Sequence, residues 1–157
     1  MRYNIALHSV GDRVVIVGKA VGMVHGQASF STSPSYSESS FTKYLKSELK
    51  LLDIVVEVTT IDSALEPLGT KYSDCLVMKI DVESFNLRVL RGALETTERF
   101  MPFILFEAHR SLDEEDEIHA LKKLKDLGYS LVVVELRSER NYIVYAYPRE
   151  KGCLCYE

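Results

Sequence analysis

Between Cys75 and Ser84 the chain reads Cys-Leu-Val-Met-Lys-Ile-Asp-Val-Glu-Ser, an apolar strand that ends in two carboxylates, and from Phe103 to His109 it reads Phe-Ile-Leu-Phe-Glu-Ala-His. Leu87, Leu90, Leu94 and Phe100 lie between them at helical spacing, and Pro102 stops that helix. A strand, a helix and a strand in this order form a β-α-β unit, with parallel strands and a right-handed crossover. Ligands of open α/β sheets sit beyond the carboxyl ends of the strands, so Asp81, Glu83, Glu107 and His109 are expected to converge on one rim. That rim is where chemistry is expected.

The flanking sequence supplies further elements. Arg13–Val17, bounded by Gly11 and Gly18, has the β-branched density of a buried strand, and Ala28–Ser31 forms a weaker one. Ser31–Ser40 carries too little apolar side chain to hold itself on a core and reads as a surface loop. Phe41, Tyr44, Leu45, Leu49 and Leu52 fit either a short helix or a solvated connection. Ile54–Ile61 reads as a strand, followed by a helix that Asp62 caps and Gly69 ends. Ser111 and Glu114 have capping-box spacing ahead of a helix whose Ile118, Leu121, Leu124 and Leu127 face the core. Ser130–Leu136 and Tyr142–Tyr147 close the chain as an antiparallel hairpin.

Composition narrows the class. A chain of 157 residues fits one domain, 1–157, and buries roughly 70% of its unfolded surface, enough for a core. Hydrophobic residues at 46% and charged residues at 27% are ordinary for a globular protein. A net charge of −4 gives no electrostatic reason to bind a phosphate backbone, so no nucleic-acid partner is expected. No apolar run reaches the ~20 residues that span a bilayer and the start lacks a signal-peptide core, so no membrane partner and a cytoplasmic location are expected. Cys75, Cys153 and Cys155 do not make a disulfide framework, and the Cys153-Leu-Cys155 tail lacks the second ligand pair that zinc spacing requires.

Lys79-Ile-Asp-Val-Glu83, Leu90-Arg-Gly-Ala93 and Pro102-Phe-Ile-Leu-Phe-Glu107, in that order, resemble the FkbM-type methyltransferases. Gly11-Asp-Arg-Val14, Ala20-Val-Gly22 and Thr59-Thr-Ile-Asp62 extend the similarity over about Gly11 to Pro148. Ser84 stands where the family usually has Gly, and the family's opening β-α-β unit, with its cofactor turn, has no counterpart. The resemblance implies an α/β fold: a Rossmann-like class I methyltransferase sheet, N-terminally truncated, with a C-terminal antiparallel hairpin. It implies S-adenosylmethionine as cofactor, with Ala20, Val21 and Asp81 as cofactor-binding residues, and methyl transfer to a hydroxyl of a small molecule or glycan.

Methyl transfer to a hydroxyl needs an aligned acceptor and a place for its proton, which a carboxylate or histidine within hydrogen-bond reach supplies. Asp81, Glu83, Glu107 and His109 are the catalytic candidates on that ground. Asp81 comes first, because its charge also favours a sulfonium. Glu83 has a second role open to it, holding free N–H groups at the helix start. Glu107 and His109 share a strand face by spacing and fit an acid–histidine pair, although a strand-exit position also accounts for His109. Lys79 needs solvent or a carboxylate, and a structural ion pair suits it. His8, His25 and His119 have no partner pattern and read as surface residues. Two other readings stand beside the enzyme: an inactive binding module on the same fold, and a metal-dependent hydrolase using the carboxylate–histidine set. Sheet edges left open by missing strands would favour a homo-oligomer.

Overall fold

In the computed structural model the described residues are 2–32, 52–67, 77–82, 85–109, 114–136 and 141–151. Glu83, Ser84, Ser111, the three cysteines and most of the serine-rich segment lie outside them, as do the assignments made for residues 33–51.

Two mixed sheets carry the fold. The first contains β1 (Ala20–Val21), β2 (Gly26–Thr32) and β3 (Leu52–Thr59) in the order β1-β3-β2, with β1 parallel and β2 antiparallel to β3. The second contains β4 (Val77–Ile80), β5 (Phe103–His109), β6 (Tyr129–Leu136) and β7 (Asn141–Pro148) in the order β4-β5-β7-β6. Here β4 and β5 are parallel, as the β-α-β reading requires, while β7 runs antiparallel to both of its neighbours. The C-terminal hairpin therefore forms as expected, and its second strand is the one that enters the sheet beside β5.

The core lies on one face of the second sheet. Met78 and Ile80 of β4, Ile104, Phe106 and Ala108 of β5, and Val144 and Ala146 of β7 are buried. They pack in one cluster with Val89, Leu90 and Ala93, and with Ala120 and Leu124 of α5 (Glu114–Asp126). Tyr129 is fully buried, and its hydroxyl donates to the Pro102 carbonyl at 2.9 Å, which satisfies its polar end.

Three expectations are corrected. Val14–Val17 is not a strand: after a 3-10 turn at Gly11–Arg13 these residues are exposed, and none is paired in a sheet. Branched side chains favour extended backbone, but a strand also needs a neighbour to complete its ladder. The helix between the motif strands is two helices, α3 (Asn86–Arg91) and α4 (Leu94–Phe100). The break falls at Gly92, the C-cap of α3, where only glycine fits: a Cβ there would stand 2.2 Å from the Gly22 carbonyl oxygen of the other sheet's β1 exit. Ile118 is 63% exposed and does not face the core; Ala120 and Leu124 do.

Asp62 also has a different task from the one expected. Thr60 is the N-cap of α2 (Ile61–Leu65), its hydroxyl accepting from the Ser63 N–H at 3.1 Å. The Asp62 carboxylate reaches across to accept from the N–H groups of Glu95 and Thr96, at 3.2 and 2.8 Å. An acid is thus placed at the start of α4, where free donors and the helix dipole both favour it. The helix α1 (Arg2–Leu7) precedes all of this and has no buried residue, so no apolar face announces it in the sequence.

Candidate functional site

Alternation along β4 determines which residues reach the rim. Met78 and Ile80 go into the core, which leaves Val77 and Lys79 on the opposite face, and Asp81 follows Lys79 on that face. The Lys79 ammonium donates to the Asp81 carboxylate at 2.9 Å, and both side chains are more than half exposed. The expected ion pair of Lys79 is therefore present, and its partner is the leading catalytic candidate. A pair this open to water contributes little to stability.

Parallel register brings the second carboxylate alongside. Lys79 pairs with Leu105 and Ile80 with Phe106, so the next step along both strands is Asp81 and Glu107. Glu107 in turn lies opposite Ile143 of β7. Lys79, Ile80, Asp81, Leu105, Phe106, Glu107 and Ile143 line one open cleft. Two carboxylates and one ammonium give it a net negative charge. Leu105 and Ile143 give it an apolar wall that was not foreseen, although Leu105 alternates with Ile104 and Phe106 in a legible way.

The other candidates have separate positions. His109 is the last residue of β5, in register with Asn141, two residues beyond Glu107. Glu83 lies outside the described residues. Ala20 and Val21 form β1 in the other sheet; Val21 packs against the core, and neither lines the cleft. His25 is not without a partner, since its Nε2 lies 2.8 Å from the Ser63 hydroxyl. Lys19 pairs with Glu57 on the first sheet, away from the rim. Among the described residues no group of three His, Cys, Asp or Glu side chains is placed to hold a metal ion. Nor is any described helix long and apolar enough to cross a membrane.

Two hydrogen bonds tie the residue after Asp81 to the start of α3. The Phe85 N–H donates to the Val82 carbonyl at 3.2 Å, and the Val82 N–H donates to the Asn86 side-chain carbonyl at 2.9 Å. Asn86 itself is only 2% exposed, and the bond is partly buried. Sequence reasoning passed over Asn86, since its side chain bonds backward to Val82 and does not cap the helix it begins.

A model of the "Methyltransferase FkbM domain" family matches residues 1–131. The search of solved structures finds the crystal structure of Methyltransferase FkbM from Methylobacillus flagellatus KT, with a TM-score of 0.57 and 18% sequence identity. The match covers 92% of this chain and 31% of that one, so the chain spans about a third of that protein's length. At this identity the likeness is one of fold. No curated protein matches the sequence.

Proposed function

Since the chain belongs to the FkbM methyltransferase domain family, we propose that it takes part in methyl transfer from S-adenosylmethionine to a hydroxyl of a small molecule or glycan, with the rim of β4 and β5 as the reacting edge. The observation that carries this reading is the meeting of Asp81 and Glu107 in one cleft at the carboxyl ends of two parallel strands. Strand order β4-β5-β7-β6 fits the latter half of a class I methyltransferase sheet, with its antiparallel last pair.

The cleft's donor set suits this cofactor. Its molecule bears a sulfonium and an ammonium, along with a carboxylate, a ribose and a flat adenine; the cleft offers two carboxylates to the cationic groups, beside Leu105 and Ile143. Bound there, the cofactor supplies an electrophilic methyl group. Asp81 would face the sulfonium and accept the proton that an acceptor hydroxyl loses. Glu107 would hold the acceptor hydroxyl or the cofactor's ammonium, and the apolar wall would limit water. Alignment of the acceptor accounts for most of the rate in such a transfer, with a positioned base adding about 10²- to 10⁴-fold. Ala20 and Val21, away from the cleft, keep a role only for the adenine end of the cofactor.

Calorimetric titration with S-adenosylhomocysteine, with light scattering on the same sample, tests the proposal. Binding is expected, and loss of binding in a folded Leu105→Glu variant would assign it to this cleft. A folded chain that shows no heat at millimolar ligand would reject the methyl-donor reading and leave a binding module on the same fold.

A further inference from the structure

We infer that Asn86 is the positioning residue that sets Asp81 at the rim, an inference that rests on the methyl-donor reading of the cleft. The register of β4 with β5 ends at Ile80 and Phe106, one residue short of Asp81. The residue after Asp81 is held from α3: the Val82 N–H is taken by the Asn86 side-chain carbonyl, and the Val82 carbonyl is taken by the Phe85 N–H. Both bonds fall on the residue next to Asp81. Together they tie the end of β4 to the first residue of α3.

Asn86 is itself held firmly. It lies between Val82 and the buried Val89 and Leu90 of α3, and it is almost wholly buried. Its side-chain Nδ2 has no hydrogen-bond partner among the described residues. A buried amide that leaves its donor unpaired carries a cost, and leucine of similar size would avoid that cost. The carbonyl oxygen, not the whole amide, therefore performs the evident task. With the Val82 N–H released, Asp81 would turn with its backbone, and the carboxylate would no longer be directed at the cleft by anything except Lys79.

The test compares S-adenosylmethionine with S-adenosylhomocysteine, because only the former carries the charge that Asp81 would face. Calorimetry on the 157-residue chain should show a preference for the sulfonium. Asn86→Leu should narrow that preference about fivefold, the size of one partly exposed charge contact. Asp81→Asn should narrow it equally, and the double variant should narrow it no further. Asn86→Asp retains an acceptor oxygen at the helix start but adds a charge of its own, so it serves the exchange measurement and not the ligand comparison. Hydrogen exchange at the Val82 amide should accelerate in Asn86→Leu and not in Asn86→Asp. Asn86→Ser, whose hydroxyl stops short of Val82, replaces the leucine variant if that one does not fold.

A Val82 amide that exchanges fast in Asn86→Leu while the preference stays intact would overturn the positioning role and leave the methyl-donor reading standing. Equal weakening of both ligands would mark Asn86 as structural and also overturn it. A wild-type chain that binds neither ligand would remove the methyl-donor reading, and this inference with it.

Discussion

Single residues divide here into those that hold the backbone and those that face the cleft, and substitution separates them. Phe106 is buried beside Ile104 and Ile80 in the core, so Phe106→Ala should cost about 3–5 kcal/mol in urea unfolding. Asp81 is exposed and pairs with Lys79 across 2.9 Å, so Asp81→Asn should move stability by less than ~1 kcal/mol while lowering methyl transfer or donor binding. Unchanged donor binding and transfer in that variant would take Asp81 out of the mechanism. Gly92 stands between these groups. A methyl group placed 2.2 Å from the Gly22 carbonyl cannot be absorbed by a rotamer change, because the obstacle is backbone. Gly92→Ala should therefore destabilise the chain by about 1–3 kcal/mol, read as a lowered melting temperature.

At the level of elements, the caps decide where helices begin. Asp62→Ala would release the N–H groups of Glu95 and Thr96 at the start of α4 and should cost about 0.5–2 kcal/mol, measured by chemical denaturation. Elements whose neighbours lie close in sequence were legible before the structure. The strands at Val77–Ile80 and Phe103–His109, the α5 region and the C-terminal hairpin all follow from local periodicity and turn residues. Elements decided by distant contacts were not. The need for glycine at position 92 depends on Gly22, and the true use of Asp62 depends on a helix more than thirty residues away. Val14–Val17 shows the same lesson reversed, since its composition fits a strand and no partner strand is supplied among the described residues. For the site, alternation and register were enough to bring Asp81 and Glu107 together. They also allowed for an ion pair of Lys79 with a carboxylate, but which carboxylate it meets depends on what a long side chain can reach.

For the molecule as a whole, the uneven covering of the second sheet matters most. One face carries α3 and α5, while β6 forms an edge on which Val132, Val133, Val134 and Leu136 are exposed. An edge of this length and apolarity invites pairing with another strand. We expect the chain to self-associate with rising concentration, and Val134→Lys, at the irregular point between Val133 and Glu135, to suppress that growth in light scattering without lowering the melting temperature. Growth that is unchanged in this variant would assign the contact elsewhere. The rim has a different character, since its principal carboxylate already holds a cation belonging to the chain. A positively charged ligand arriving there performs an exchange in which the ammonium of Lys79 is the departing party. Such an exchange makes and breaks one ion pair of each kind, so added salt weakens both sides alike. The second carboxylate keeps the cleft net negative, so affinity for a cation should still fall between dilute and physiological salt, by less than an unoccupied pair of carboxylates would give.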